Sequence, residues 1–162
     1  MEIRIEPLQE EDQEFISDMV RDIWGEDMIV VHGETFYIQK LEGIKAVIEG
    51  QIAGFLHYQY AKEEFEILTL ASHMEGYGVG SALVEAAEKL AHHKGCHLLS
   101  VVSTNNNLHA LSFYQKRGFH LAALFPGKVD QSREIKPTIP KFGDNNIPIR
   151  DEIRLEKNLS RV

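Results

Sequence analysis

The sequence predicts a mixed α/β fold in which helices flank a mostly antiparallel sheet that contains one parallel pair of strands. Segments 44–49, 52–60 and 64–71 are predicted strands that follow one another with short turns, which is typical of an antiparallel meander. An amphipathic helix then separates the third segment from the continuously apolar run 97–103, and such a run is typical of a buried parallel strand. The 162 residues have the size of a single domain with a full core.

The remaining regular elements follow in chain order. Residues Glu2 to Pro7 alternate as a first strand, and Glu10 to Trp24 form an acidic amphipathic helix. After the parallel strand, residues 107–117 are predicted as a helix that glycine closes, and residues 119–125 as the next strand. Residues 151–157 alternate again and are predicted as a last strand.

Residues 126–150 interrupt this pattern and are predicted as a long loop. They contain four of the five prolines of the chain and two of its glycines. Loops longer than about 15 residues are uncommon in compact domains and tend to be functional or disordered. Because the last predicted strand follows directly, the loop is expected to return to the sheet.

Glycine occupies every second position in the stretch before the long helix, which reads Glu75-Gly76-Tyr77-Gly78-Val79-Gly80-Ser81. Glycine adopts positive φ readily and has no Cβ, so successive backbone N–H groups can converge on an anion. The following helix, to about Lys94, adds free N–H groups and the positive end of its dipole. The stretch is therefore predicted to bind phosphate, and a purely structural glycine turn is the alternative. A Rossmann dinucleotide site is disfavoured, because Ser81 replaces its third glycine and residues 100–104 lack an acidic residue.

A second motif lies about thirty residues later and consists of Asn107, Ala110, Phe113, Tyr114, Gly118 and Phe119. Over roughly residues 2–125, the two motifs together resemble the GNAT superfamily of N-acetyltransferases, whose phosphate loop reads [Gln/Arg]-x-x-Gly-x-[Gly/Ala]. This chain keeps Gly78 and Gly80 but has Glu75 at the first position.

The resemblance implies a GNAT-like fold, in which the parallel pair of strands splays apart at the cofactor site. It also implies an acetyl-CoA-dependent N-acetyltransferase that transfers acetyl directly to a primary amine of a small molecule or peptide. A non-catalytic acyl-CoA-binding sensor or regulatory module is the alternative.

The resemblance further implies roles for individual residues. Tyr114 is expected to protonate the leaving thiolate, and Asn107 to bond the pantetheine arm. The residues expected to contact acetyl-CoA are Leu68, Leu70, Glu75, Gly76, Tyr77, Gly78, Val79, Gly80, Ser81, Asn107 and Tyr114. The alternatives are that Tyr114 is a core aromatic residue and that Asn107 is only a helix N-cap.

A glutamate of the third meander strand is expected to be the catalytic base. Glu64 and Glu66 share one face of that strand, because side chains alternate with period two. Glu66 has the more apolar neighbours, and desolvation there would raise its pKa toward a useful range. The alternative is that both are solvated strand carboxylates.

The loop at 126–150 is expected to form one wall of the acceptor pocket. Its charged residues give a local excess of +2, so Arg133 and Lys136 are predicted to bind a carboxylate or phosphate that the acceptor carries beside its amine. The alternatives are an ordered surface excursion and a subunit contact, which would make the protein a homodimer.

Composition excludes several other partners. A net charge of −8 disfavours nucleic acid, and no apolar run reaches the about 20 residues that span a bilayer. The single cysteine, Cys96, cannot form an internal disulfide, which favours a cytoplasmic location. The neighbouring histidines lack the spacing of a metal site, so no metal is expected.

Overall fold

The computed structural model describes residues 1–159, in which nine strands and four helices are arranged around one large sheet. The strands are β1 (Arg4–Pro7), β2 (Met28–Val31), β3 (Glu34–Tyr37), β4 (Glu42–Ile48), β5 (Gln51–Ala61), β6 (Glu64–Ser72), β7 (Leu98–Thr104), β8 (His120–Phe125) and β9 (Glu152–Asn158). The helices are α1 (Gln13–Trp24), α2 (Val79–His93), α3 (Leu108–Lys116) and α4 (Lys128–Ile135), with short 3₁₀ turns at Glu10–Asp12 and Ile38–Lys40.

The large sheet has the strand order β1-β4-β5-β6-β7-β9-β8. All neighbouring strands run antiparallel except β6 and β7, which are parallel. The mixed fold class and the antiparallel meander predicted from the sequence are therefore confirmed. The last strand, β9, returns into the sheet between β7 and β8, an insertion that the sequence pattern does not indicate.

The two faces of the sheet carry separate apolar cores. On one face, α2 buries Val79, Leu83, Val84, Ala87 and Ala91 against the sheet and α3. On the other face, the core is formed by α1 together with the small hairpin of β2 and β3. The hairpin thus lies on the side of the sheet away from α2, and α4 contacts the hairpin through β2.

The hairpin of β2 and β3 occupies the segment before β4 that the sequence left without a clear pattern. His32 and Gly33 connect the two strands with φ values of 55° and 80°. Positive φ at both central residues is typical of a type I′ turn, whose twist matches that of the flanking strands.

The segment 126–150 was predicted as a loop, but part of it is helical. Helix α4 begins after Gly127, which has a φ of 71°, and ends at Ile135. The prolines of this segment led to the prediction of a loop. Pro126 and Pro137 lie outside the helix, however, and leave its hydrogen bonds intact, so the helix can form between them. Beyond the helix, Arg133 donates to the carbonyl oxygens of three residues of this segment: Ile139, Pro140 and Ile149.

Candidate active site

Two clefts meet where β6 and β7 separate. The first, of about 660 Å³, runs along the glycine-rich stretch between β6 and α2, and we call it the glycine-loop cleft. The second, of about 260 Å³, lies between β6 and β7 with β2 and α4 as its opposite wall, and we call it the inner cavity. Four residues line both: Leu70, Asn107, Ala110 and Tyr114. A molecule that extends from one space into the other passes this junction.

The separation of the two strands begins at a β-bulge in β6. Ile67 pairs with Tyr58 and Thr69 with His57, so Leu68 is an extra residue on β6. A bulge leaves one residue unpaired and bends its strand. Ile67 is also the last residue of β6 that pairs with β7. The bulge therefore turns β6 away from β7 at the point where the inner cavity opens.

The glycines beside α2 serve two different purposes. Gly76 and Gly78 have φ values of 85° and 75°, a region that residues with a Cβ rarely adopt. Gly80 lies within the helix, and a Cβ there would come within 3.1 Å of the Phe113 ring. Because Gly78 is the N-cap of α2, the first free N–H groups of this 15-residue helix lie at the cleft. The geometry suits a bound anion.

Arg117 adds a fixed positive charge to the glycine-loop cleft, and the sequence analysis did not identify it. Its Nε donates to Ser81 Oγ at 3.0 Å, and its Nη1 donates to the carbonyl oxygen of Phe113 at 2.8 Å. The guanidinium also stacks on the Phe113 ring, 3.6 Å from the centroid. A cation held in this way beside a helix N-terminus strengthens the attraction for a phosphate group. The only sequence signal was a basic residue at the end of the second motif.

Tyr114 lies at the junction and is 5% exposed. Its ring packs edge-on against Phe113 and Phe119, with 5.2 Å between the centroids in each pair. Burial raises the pKa of the Tyr114 hydroxyl, although the positive charge of Arg117 opposes the shift. The phenol is therefore protonated at neutral pH and can act as an acid.

Asn107 caps α3 at the same junction. Its Oδ1 accepts a hydrogen bond from the backbone N–H of Ala110 at 3.0 Å. The cap uses one carbonyl oxygen, whereas an asparagine also has two amide N–H donors. Asn107 can thus cap the helix and bind a ligand at the same time.

Other residues predicted to bind the cofactor are distributed around the two clefts. Leu68 lines only the inner cavity, whereas Glu75 and Ser81 line only the glycine-loop cleft. The Val79 side chain is 2% exposed and packs in the core, so its backbone is the part that faces the cleft. Tyr77 is 47% exposed and lines neither space.

Glu64 and Glu66 lie on one face of β6, before the bulge, but in different environments. Burial alone would raise the pKa of Glu64, but hydrogen bonds from Arg154 and Ser100 lower it overall. Burial raises the pKa of Glu66, although its hydrogen bond from Gln59 opposes the shift. Of the two, Glu66 is therefore the better proton acceptor near neutral pH.

Glu66 lies beside the inner cavity but does not line it. It borders a smaller pocket of about 200 Å³, and both spaces are lined by Val31 and Val102. Tyr114 does not border that pocket. The structure thus places the predicted acid and the preferred predicted base in adjoining spaces.

Glu152, which the sequence analysis missed, is a carboxylate that does line the inner cavity. It is 4% exposed, and its Oε2 accepts a hydrogen bond from the backbone N–H of His32 at 3.0 Å. Its other oxygen, Oε1, is buried, lies 3.4 Å from His32 Nδ1 and accepts no hydrogen bond within the described part of the chain. The sequence shows Glu152 as an ordinary polar residue at a strand end.

The two residues predicted to bind the acceptor have different positions. Lys136 lines the inner cavity and is 3% exposed, and burial lowers its pKa although the charge of Glu26 opposes the shift. The structure does not bring Arg133 to this cavity. The Arg133 guanidinium instead pairs with Asp130 and bonds carbonyl oxygens of its own segment.

Comparison with known proteins identifies the family. The model of the Acetyltransferase (GNAT) family matches residues 2–119. This chain belongs to the GNAT family. The uncharacterized proteins YdhI and YxbD of Bacillus subtilis strain 168 are 37% and 36% identical to it, over 152 and 148 residues. These alignments cover 93% and 91% of this chain and 95% and 93% of the two Bacillus proteins.

Solved structures share the GNAT fold over nearly the whole chain. A Bacillus subtilis acetyltransferase in complex with CoA has a TM-score of 0.73 at 24% identity, and IAA acetyltransferase from Bacillus cereus ATCC 14579 has 0.72 at 23%. Each alignment covers 98% of this chain and 100% of the other. A GNAT acetyltransferase from Elizabethkingia anophelis with acetyl-CoA bound has 0.68 at 21%, covering 97% and 98%. The parallel pair of β6 and β7 within a mostly antiparallel sheet is thus the GNAT arrangement.

Two further findings concern residues 1–159 of this GNAT chain. No group of three or more histidine, cysteine, aspartate or glutamate side chains in this range is placed to hold a metal ion. None of the helices described there combines the length and the apolar character needed to cross a bilayer.

Proposed function

We propose that this GNAT protein is an acetyl-CoA-dependent N-acetyltransferase that transfers acetyl directly to a primary amine. The observation that carries the proposal is the junction at Tyr114, where the glycine-loop cleft meets the inner cavity. Direct transfer requires a donor site and an acceptor site that open onto one acid, and two spaces that meet at Tyr114 support this proposal.

The glycine-loop cleft is the proposed acetyl-CoA site. Helix α2 offers its free N–H groups, Gly76 and Gly78 allow close approach of the backbone, and Arg117 adds a cation, all of which favour a pyrophosphate. Two solved GNAT acetyltransferases of the same fold contain CoA and acetyl-CoA, which supports this ligand. The N-cap at Gly78 has no side chain, so Glu75 is the acidic residue that lines this cleft within residues 1–159.

In the proposed reaction the attacking species is the neutral amine, so an acceptor that binds as an ammonium ion first releases one proton to solvent. The amine nitrogen forms a bond to the thioester carbonyl carbon, the carbon–sulfur bond breaks, and the electron pair leaves with sulfur. Tyr114 gives its proton to that thiolate, while the nitrogen loses a proton to Glu66, either directly or through water. The products are the N-acetylated acceptor and CoA with a free thiol. Glu64 is the less favourable base, because Arg154 and Ser100 stabilise its charged form.

A non-catalytic acyl-CoA-binding module remains the second candidate. Its discriminating property is binding of acetyl-CoA without transfer to any amine. The buried, protonatable Tyr114 at the junction favours the enzyme, since a module needs no acid at that place.

One experiment tests both parts of the proposal. Acetyl-CoA should raise Tm, since binding to the native state alone adds about 2.7 kcal/mol of stability at a hundredfold excess over Kd. Thiol release should then depend on an added amine when polyamines, amino sugars, amino acids and peptides are screened. Stabilisation by NADH and not by acetyl-CoA would contradict the cofactor site, whereas binding without any amine-dependent release would favour the module.

A further inference from the structure

Two side chains of opposite charge line the inner cavity, and both are buried. Glu152 is 4% exposed and Lys136 is 3% exposed. We propose that the acceptor is a free amino acid with an apolar side chain, whose ammonium group binds Glu152 and whose carboxylate binds Lys136. This inference rests on the proposed N-acetyltransferase function and names its substrate class.

One carboxylate oxygen of Glu152 is held by the protein, and the other can accept a hydrogen bond from a ligand. The hairpin of β2 and β3 donates the N–H of His32 to Oε2, and the positive φ of His32 fixes that turn. Oε1 is buried and accepts no hydrogen bond among residues 1–159. A buried carboxylate oxygen without a donor is costly, so a ligand ammonium that supplies one is stabilised there.

Glu152 also lies close to the junction along the backbone. It pairs with Thr104 at the end of β7, and the carbonyl oxygen of Thr104 accepts the backbone N–H of Asn107 at 3.2 Å. Asn107 lines both clefts and Thr104 lines the inner cavity. Through Thr104 and Asn107, the backbone thus connects Glu152 to the junction of the two clefts.

Lys136 provides the matching cation from the opposite wall. It follows the end of α4, and its Nζ donates to the carbonyl oxygen of Met28 on β2 at 2.9 Å. An ammonium has three donors, so this bond leaves two for a ligand. Burial lowers the pKa of Lys136, against the charge of Glu26, and a carboxylate bound beside it would favour the charged form again.

Charge balance favours a carboxylate over a phosphate on the acceptor. The charges of Lys136 and Glu152 cancel, so a zwitterion with one positive and one negative group leaves the filled cavity neutral. A phosphate group carries a charge of up to about −2 at neutral pH and would leave a net negative charge buried, which is unfavourable. A peptide N-terminus has a neutral amide where the free amino acid has its carboxylate, and would leave Lys136 without a partner.

The remaining wall of the cavity favours an apolar side chain. It is formed largely by hydrophobic residues, among them Trp24, Ile29, Leu68, Val129 and Ile139. The volume of about 260 Å³ lies below the range of about 300–1,000 Å³ that is usual for drug-sized ligands. A small acceptor with an apolar body and two charged ends therefore fits both the lining and the size.

The test compares L-leucine with L-leucinamide and isoamylamine, which keep the amine and the apolar body but lack the carboxylate. We expect kcat/KM for leucine to exceed that for either analogue by 10-fold or more. Lys136→Met should reduce this preference to near one by raising KM for leucine alone. Glu152→Gln should raise KM for all three amines by 10-fold or more. The rise in Tm caused by acetyl-CoA should remain in both variants.

Two matched variants control for general charge effects. Lys141→Met and Glu134→Gln make the same changes at exposed positions of the same segment that do not line the cavity, and both should keep the preference for leucine. Equal or better use of leucinamide by the wild type, or an unchanged preference in Lys136→Met, would overturn the inference.

Failure of the inference and failure of the proposed function have different outcomes. Transfer to polyamines or amino sugars, but to none of leucine, methionine and phenylalanine, would overturn the amino-acid acceptor and leave the N-acetyltransferase intact. If acetyl-CoA neither binds nor reacts, the proposed function is wrong. Calorimetric titration with leucine then decides the inference alone: binding that Lys136→Met abolishes supports the cavity assignment, and absence of binding overturns it.

Discussion

Replacing Tyr114 with phenylalanine tests the proposed acid directly, because the change removes one hydroxyl group and keeps the buried ring. Phenylalanine preserves the edge-on contacts with Phe113 and Phe119, both at 5.2 Å between centroids. We therefore expect Tm, and its rise with acetyl-CoA, to change little. Any loss of turnover can then be assigned to the missing proton donor.

The expected loss follows from the chemistry of the leaving group. General acids contribute about 10²- to 10⁴-fold to rate. A thiolate, whose thiol has a pKa of about 8.5, leaves more easily than an alkoxide, so we expect Tyr114→Phe to lower kcat by about 10²-fold, at the lower end of this range. A factor of 100 corresponds to about 2.7 kcal/mol of transition-state stabilisation.

Thiol release at saturating acetyl-CoA and acceptor measures this effect across pH. Because burial raises the pKa of Tyr114, the wild type should lose no acid catalysis through this group below about pH 10. Tyr60→Phe is the matched control, since Tyr60 is 41% exposed on β5 and lines neither cleft. Unchanged kcat in a folded Tyr114→Phe protein that binds acetyl-CoA would refute the acid role and leave Tyr114 as a packing residue.

Three further substitutions test other parts of the site. Gly80→Asp should abolish the rise in Tm with acetyl-CoA through steric contact and charge repulsion, whereas Gly50→Asp in an open turn should keep it. Folding lowers the pKa of Glu64, so the stability contributed by its charged form is lost as pH falls below about 4.5. Folding raises the pKa of Glu66, so this group stabilises the folded state at low pH, and that contribution is lost as pH rises above the raised pKa. At pH 7, Glu64→Gln should thus lower Tm, whereas Glu66→Gln should not. Only Glu66→Gln should flatten the acidic limb of the pH profile of kcat/KM. If Glu64→Gln flattens that limb and Glu66→Gln does not, the base is Glu64. Arg133→Ala should cost about 1–3 kcal/mol of stability by removing charged hydrogen bonds to carbonyl groups of its own segment, two of them partly buried, and an increased acceptor KM at unchanged Tm would contradict this structural role.

The sheet could be predicted where local pattern and pairing agree. Strands β4, β5 and β6 follow one another through short turns, so their neighbours in sequence are also their neighbours in the sheet. The apolar run that became β7 lies inside the sheet between β6 and β9 and is mostly buried, which its composition indicated. The position of β9 could not be predicted, because its partners β7 and β8 are distant in sequence and its alternation is compatible with any edge or gap.

The proposed donor half of the site was more predictable than the proposed acceptor half. The glycine-loop cleft depends on backbone conformation, and glycines at fixed spacing report that conformation in the sequence. The inner cavity depends on which side chains meet from β2, β7, α4 and β9, and that meeting is set by tertiary packing. Glu152 becomes distinctive only when the backbone N–H of His32 bonds one of its oxygens and the other, 3.4 Å from His32 Nδ1, accepts no hydrogen bond within residues 1–159.

The arrangement of carboxylates around the inner cavity suggests a division of roles. A group that holds the acceptor as an ammonium ion stabilises the protonated amine, whereas the reaction requires the neutral amine. One carboxylate that did both would bind the substrate in its unreactive form and slow its own proton removal. Glu152 lies in the cavity with a free oxygen, while Glu66 lies in the adjoining pocket with a raised pKa that suits a proton acceptor. Because both spaces are lined by Val31 and Val102, we propose that water between them carries the proton from the amine to Glu66. Binding and deprotonation can therefore be optimised separately, and kcat and KM should respond to different glutamates: KM to Glu152→Gln and kcat to Glu66→Gln.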